Sequence, residues 1–74
     1  MVDPIQIRER MEIVSSDDRH VGSVENVLGW EIELAERELQ PFASFHRIPV
    51  SWVVSVDAQV HLDCTRDAAR ALWR

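Results

Sequence analysis

The alternation of apolar and polar residues along most of this chain constrains its fold more than any other feature. Trp30, Ile32 and Leu34 share one parity, and Glu31 and Glu33 share the other. Because successive side chains of a strand point to opposite faces, this pattern predicts a half-buried antiparallel strand with Trp30 packed inward. Shorter alternating stretches are MEIVS at 11–15, VGSVENVL at 21–28 and QVHLD at 59–63. The pattern predicts a mainly β fold.

Turn-forming residues and glycines separate these stretches. Residues 16–19, Ser-Asp-Asp-Arg, include side chains that hydrogen-bond nearby backbone N–H groups, so they predict the first turn. Gly29 allows the chain to reverse before the third strand. Gly22 lies inside the second strand, where a glycine usually marks a bulge or a close approach of another backbone.

The segment FHRIPVSWVVSVD, residues 45–57, supports two interpretations. Its apolar residues at 48, 50, 52, 54 and 56 share one parity, which favours a single long strand. Pro49 argues against that strand, since proline removes a ladder donor and is confined to edges, strand ends and bulges. We expect a strand ending near Val50 and a tight turn at Ser51-Trp52-Val53, although a continuous strand stays open.

The period changes from two to that of a helix at the C-terminal end. Thr65 is a suitable N-cap, and Asp67 places a negative charge in the first turn. Two i,i+4 pairs follow, Ala68 with Leu72 and Ala69 with Trp73. The sequence predicts a short helix over 65–74 that docks on the sheet through Leu72 and Trp73.

A chain of 74 residues has room for one hydrophobic core, so residues 1–74 are expected to form a single domain. We expect an N-terminal arm over 1–9, a barrel over 10–63 and the helix over 65–74. Closing five or six short strands into a small barrel would remove the sheet edges that a chain rich in Val and Ile otherwise exposes.

The charge balance disfavours several classes of partner. Eight arginines, no lysine and thirteen acidic residues give a net charge of −5, which is a poor basis for binding nucleic acid or an anionic membrane. The absence of lysine also excludes Schiff-base and P-loop chemistry. No apolar stretch approaches the roughly 20 residues of a transmembrane helix, and the start lacks a secretory pattern. We therefore expect a cytoplasmic protein without membrane insertion.

Catalytic motifs are absent from the sequence, so no enzyme activity is expected. Cys64 is the only cysteine, which excludes an intrachain disulfide. It lies near a helix N-terminus, where a thiol pKa can fall, and pairing with His61 or His46 would make a nucleophile. The favoured interpretation is an inert thiol that packs as a small hydrophobe.

A metal site is the alternative to a purely structural role for the histidines. His61 and Asp63 lie two apart and share the outward face of a strand, and His46 or His20 would complete a nitrogen and oxygen ligand set. Because the spacing is generic, we favour solvated polar side chains and expect no bound metal or cofactor.

The aromatic residues are the best candidates for a contact surface. Trp30, Trp52 and Trp73 have apolar parity and are expected in the core, whereas Phe42 and Phe45 lie in or beside the irregular stretch from 36 to 44. These two phenylalanines either fold back over the barrel or form an exposed patch for a partner. The candidate partner contacts are Phe42, Phe45, Trp52 and Trp73.

Several segments in order resemble the PRC-barrel family, and more closely a group of small, functionally uncharacterised bacterial proteins of that character. They are MEIV at 11–14, Ser16-Asp17 with VGSV at 21–24, IPVSWV at 48–53, Val56-Asp57 with VHL at 60–62, and Thr65 leading to Ala68 and Trp73. The chain departs from the family pattern at Arg10 and Asp18, where glycines are frequent. The stretch from Glu36 to Ser44 is also unlike the family.

The resemblance implies a small β-barrel with a turn near Ser51-Trp52 and no known enzyme activity. PRC-barrel domains act as docking modules in a ribosome-maturation factor and in the H subunit of photosynthetic reaction centres. We therefore expect a non-enzymatic domain that binds a protein partner, including a second copy of itself as a homodimer. The alternative is a small ligand- or metal-binding barrel that uses His46, His61 and Asp63.

Overall fold

The computed structural model describes residues 2–36 and 44–74, in which six strands and one helix follow a short N-terminal arm. The strands are β1 (Glu12–Val14), β2 (His20–Leu28), β3 (Glu31–Glu36), β4 (Ser44–Pro49), β5 (Val53–Val56) and β6 (Gln59–Leu62), and the helix is α1 (Arg66–Leu72). Two 3₁₀ turns lie at Pro4–Gln6 and Val50–Trp52. The predicted mainly β fold with a short C-terminal helix is confirmed.

All six strands belong to one sheet in the order β4-β3-β2-β1-β6-β5. Neighbouring strands are antiparallel except for β1 and β6, which are parallel and join the two halves of the chain. Register shifts of the kind that β-bulges produce occur in the β1–β2, β2–β3 and β5–β6 pairs. Such shifts increase the local twist and bend of a sheet. Within the described residues, the terminal strands β4 and β5 do not pair with each other.

The core lies on one face of this sheet, and the period-two prediction is confirmed for β3. Ile32 and Leu34 are buried, whereas Glu31 and Glu33 are only half-buried on the opposite face. Ile7 of the N-terminal arm also belongs to the core. The arm is therefore anchored to the sheet by an apolar side chain.

The prediction that Trp30 packs in the core is wrong. Its side chain is 61% exposed, because residues 29 and 30 form the turn between β2 and β3 and lie outside the sheet. Gly29 makes this reversal with a φ of 66°, as the sequence predicts. The parity of Trp30 was that of the buried residues, but strand parity holds only within a strand.

The segment from 45 to 57 is interrupted, so the single long strand is excluded. β4 ends at Pro49, a 3₁₀ turn occupies Val50–Trp52, and β5 begins at Val53. The expected break is confirmed, and the turn lies one residue earlier than predicted. Pro49 stands at the last position of β4, where the sheet tolerates it.

Gly22 marks a close approach, as predicted. A Cβ atom at this position would lie 2.9 Å from the carbonyl oxygen of Ala35 and 2.9 Å from Cδ1 of Leu34. These distances are shorter than van der Waals contact, so only a residue without a side chain lets β2 and β3 pack this closely.

Helix α1 begins at its predicted cap and packs through one of the two predicted pairs. The Thr65 hydroxyl accepts a hydrogen bond from the Ala68 N–H at 3.2 Å. Ala69 is buried and Trp73 packs against the core. Leu72, predicted to dock, is instead 66% exposed, because only one stripe of so short a helix can face the sheet. No helix in residues 2–36 and 44–74 is long and apolar enough to cross a membrane.

Candidate functional site

A surface groove of about 340 Å³ lies where β3, β4 and the C-terminal segment meet. Its walls combine apolar side chains with charges of both signs, contributed by Glu31, Arg47, Pro49, Trp52, Leu72 and Arg74. This groove therefore brings three charged side chains together with apolar ones on a single surface.

The alternation of β4 places its outward side chains along this groove. Ile48 is buried in the core, so Phe45, Arg47 and Pro49 project from the opposite face. In the β3–β4 register, Phe45 lies opposite Ala35. We use the name β4 face for Phe45 together with the six groove residues.

The C-terminal segment is attached to the free edge of β4 by backbone hydrogen bonds. The Arg47 N–H donates to the Arg74 carbonyl oxygen at 2.7 Å, and the Arg74 N–H donates to the Arg47 carbonyl oxygen at 3.0 Å. This reciprocal pattern is that of a hydrogen-bonded antiparallel pair, whose two side chains project to the same side. It covers an edge that would otherwise expose unpaired backbone groups.

A ring stack fixes the same segment from the inner side of β4. The His46 and Trp73 rings are nearly parallel, with an interplanar angle of 9° and centroids 3.8 Å apart. The Arg70 guanidinium lies 5.8 Å from the Trp73 ring centroid, and its Nη2 is 3.9 Å from Glu36 Oε1. The groove wall formed by Leu72 and Arg74 is therefore held in place by its neighbours on the chain.

The structure brings some of the predicted contact residues to this surface and leaves others apart. Phe45 is 55% exposed on the β4 face, and Trp52 lines the groove while packing partly against the core. Trp73 lies beneath the face in its stack with His46. Phe42 falls outside the described residues. The Phe45 side chain is thus exposed, and the Trp52 side chain contacts both the groove and the core.

The structure does not bring together the residues of the metal hypothesis. His46 is stacked on Trp73, and the His61 Nε2 lies 3.0 Å from each carboxylate oxygen of Asp57. Asp63 is exposed. Among residues 2–36 and 44–74, no group of three His, Cys, Asp or Glu side chains has the geometry to hold a metal ion.

Cys64 lacks the setting of a nucleophilic thiol. Burial raises the pKa of the Cys64 thiol above its usual range, and the neighbouring Asp63 carboxylate raises it further. Both effects oppose the lowering that proximity to a helix N-terminus can produce. The half-buried thiol packs against the core, which agrees with the structural interpretation.

A second, more open depression lies beside the turn between β2 and β3. It has a volume of about 540 Å³ and is lined by Val2, Asp3, Pro4, Gly29 and Trp30. Asp3 is its one titratable side chain, and its carboxylate accepts a hydrogen bond from the Ile5 N–H at 3.0 Å. The apolar lining makes it an extension of the exposed surface around Trp30, with little polar chemistry of its own.

Sequence reasoning missed five residues of the groove: Glu31, Arg47, Pro49, Leu72 and Arg74. The alternation of β4 does contain a signal for Arg47, which has the parity of the exposed Phe45. Nothing in the sequence pattern indicates that residue 74 pairs with residue 47. That contact joins positions remote in sequence and depends on how α1 docks.

One family of proteins matches most of this chain. Comparison with curated proteins gives no match, and comparison with solved structures gives none either. Residues 7–70, which are 64 of the 74 residues, match the model of a family described as "Uncharacterized protein conserved in bacteria (DUF2171)". The chain therefore belongs to this family of small bacterial domains, whose function is uncharacterised.

Proposed function

We propose that this protein is a non-enzymatic, cytoplasmic interaction domain that associates with a second copy of itself through the β4 face. The observation that carries this proposal is the exposure of large apolar side chains beside an ordered groove. Phe45 is 55% exposed and Leu72 is 66% exposed, and neither side chain belongs to the buried core. Such surface clusters are typical of protein contact sites.

The composition of the groove supports a protein partner over other ligand classes. Trp52 and Pro49 offer apolar contact, and Arg47 offers a guanidinium at the rim. Aromatic residues and arginine are enriched at protein–protein interfaces. The net charge of −5 opposes binding to nucleic acid, whose phosphates require a surplus of cations.

We further propose that the sheet is of the PRC-barrel type. Its support is the break at Val50–Trp52, the parallel pairing of β1 with β6, and the register shifts that bend three of the five strand pairs. In such a barrel the strongly curved sheet encloses the core, and its outward side chains are available to a partner.

Substitution of the exposed phenylalanines tests the proposed function. Phe45→Ser is expected to weaken self-association while leaving the melting temperature nearly unchanged, because the Phe45 side chain contributes little to the core. The double variant Phe42→Ser/Phe45→Ser should weaken association at least as much. Light scattering after size exclusion measures association, and circular dichroism measures melting.

A large fall in the melting temperature of Phe45→Ser would place this side chain in the core and contradict the proposal. Val54→Ser is the matched control, because Val54 is a similarly exposed strand residue that does not line the groove. It should leave self-association unchanged.

A further inference from the structure

We infer that the β4 face forms a two-fold symmetric interface in which Arg47 and Arg74 of one copy bind Glu31 of the other. This inference rests on the proposed self-association and specifies its chemistry. In a two-fold interface the same patch is used by both subunits, so each contact occurs twice. The patch must then carry both halves of every contact.

Arg47 and Arg74 are two like charges that make no ion pair within the described residues, although Glu33 lies opposite Arg47 in the β3–β4 register. Their reciprocal backbone hydrogen bonds place the two residues directly opposite each other, with Cα atoms about 5.5 Å apart in such a pair. Like charges opposite each other in a sheet are destabilising. Within the described residues, no carboxylate oxygen lies within 4.0 Å of either guanidinium. An anion bound between them would relieve this repulsion.

Glu31 places a negative charge on the same groove. It lies opposite Pro49 in the β3–β4 register and lines the groove together with the two arginines. Within the described part of the chain, its carboxylate makes no ion pair or side-chain hydrogen bond. The groove thus carries one anion and two cations that form no ion pair with one another within the described residues.

A second copy satisfies both charges, whereas a purely acidic partner satisfies only one. An acidic segment bound to Arg47 and Arg74 would bring its own charge close to Glu31, which opposes binding. A two-fold copy instead brings Glu31 to the arginines and the arginines to Glu31. The apolar side chains of Trp52 and Leu72 lie on the same groove and would be buried between the two copies.

The size of the molecule indicates how far this interface extends. A standard interface buries roughly 800 Å² on each partner, which is about one sixth of the chain's 4713 Å² surface. The groove alone is smaller than that, so the contact must continue along the outward face of β4. Phe45 lies two residues from Arg47 on this face, at a distance of about 7 Å.

A charge-exchange experiment tests the inference. The variant Glu31→Arg places cations opposite cations, and the variant Arg47→Glu/Arg74→Glu places anions opposite anions. Each variant alone is expected to raise the dimer dissociation constant by roughly tenfold or more. An equimolar mixture of the two restores opposite charges at both contacts of a heterodimer, so dimers should form again with an affinity near that of the wild type.

Glu25→Arg is the matched control, because Glu25 is exposed on β2 and does not line the groove. Circular dichroism melting confirms that each variant is folded, and any affinity tag is placed at the N-terminus. Variants that stay dimeric on their own would overturn the reciprocal charge contact and leave self-association standing. Variants that stay monomeric after mixing would also overturn it. A wild-type protein that is monomeric throughout would overturn the proposed self-association as well.

Discussion

Arg10 and Asp18 hold backbone conformations in the left-handed region, with φ values of 71° and 60°. These are the two positions at which the PRC-barrel pattern frequently has glycine. A side chain with a Cβ atom costs roughly 1–2 kcal/mol in this region, and aspartate tolerates it better than arginine does. Both residues therefore lie at turns whose backbone geometry is retained at a cost in stability.

Arg10→Gly is expected to stabilise the protein. The Arg10 side chain is exposed, and the hydrogen bond from its N–H to the Val24 carbonyl oxygen at 2.7 Å does not depend on it. Relief of the backbone strain, less the greater freedom of glycine in the unfolded chain, should raise the unfolding free energy by about 0.5–1 kcal/mol. The melting temperature should rise by about 2–8 °C in thermal unfolding followed by circular dichroism.

Glu9→Gly is the control for this substitution, because Glu9 is exposed in the same turn and does not have a positive φ. There glycine only adds freedom to the unfolded chain, so the melting temperature should fall. A fall in both variants would contradict the assignment of strain to Arg10.

Glu12 links three strands through its carboxylate. Its Oε2 lies 2.8 Å from the His20 Nδ1 on β2, and its Oε1 accepts a hydrogen bond of 2.6 Å from the Gln59 side chain on β6. The hydrogen bond with His20, and then that with Gln59, hold the pKa of Glu12 below its usual range. The ionised form is therefore favoured in the folded protein relative to the unfolded chain.

The sign of the pH dependence follows from this lowered pKa. The contribution of Glu12 to stability is complete above its unfolded pKa of about 4.3 and is lost as the pH falls through the lower folded value. Glu12→Gln should thus be less stable than the wild type at pH 7, with a difference that narrows toward pH 3. Urea unfolding across this pH series measures the difference, and a constant difference at every pH would contradict the account.

Among the elements, the C-terminal helix α1 has one side against the core, and its other side is exposed at the groove. Ala69 and Trp73 face the sheet and fix the helix, whereas Leu72 faces the groove and is exposed. Stability and association should therefore depend on different residues of the same helix and its cap.

Trp73→Ala is expected to lower the unfolding free energy by roughly 2 kcal/mol or more, since it removes packing against the core and the stack on His46. Leu72→Ala should change the unfolding free energy by less than about 0.5 kcal/mol, because exposed side chains contribute little. It should still weaken self-association. Chemical denaturation measures the stability of both variants, and light scattering measures their association. Equal losses of stability in the two variants would contradict the separation between a buried Trp73 and an exposed Leu72.

Local patterns predicted most of the elements but not their ends or remote contacts. Alternation identified β3, and Pro49 correctly divided the segment between β4 and β5. Trp30 was misplaced because parity does not tell where a strand begins, and two residues of the turn hold it outside the sheet. The docking side of a helix of seven residues is likewise set by tertiary contacts, which explains the error at Leu72.

The candidate site was predicted only in part, for a physical reason. The sequence left two positions open for Phe45, folded back over the sheet or exposed, and the structure shows the exposed one. The groove itself depends on the pairing of Arg47 with Arg74, which joins the free edge of β4 to the far end of the chain. Neither propensity nor periodicity carries information about such a contact.

In the whole molecule, the C-terminal segment lies along one edge of the sheet and forms a groove there. The free edge of β4 is covered by the C-terminal segment, and the groove that forms there has apolar walls and charges of both signs. A chain with a net charge of −5 repels copies of itself at long range, so association must rest on local complementarity at this surface. The proposed dimerisation through the β4 face would supply that complementarity.

Light scattering after size exclusion, applied to the wild-type protein over a concentration series, measures whether two copies of the chain associate. Reductant is included so that Cys64 cannot link two chains. Dimerisation predicts a mass that rises with concentration toward about 17 kDa, twice the 8.6 kDa of one chain. A mass that stays at 8.6 kDa across the whole series would contradict it.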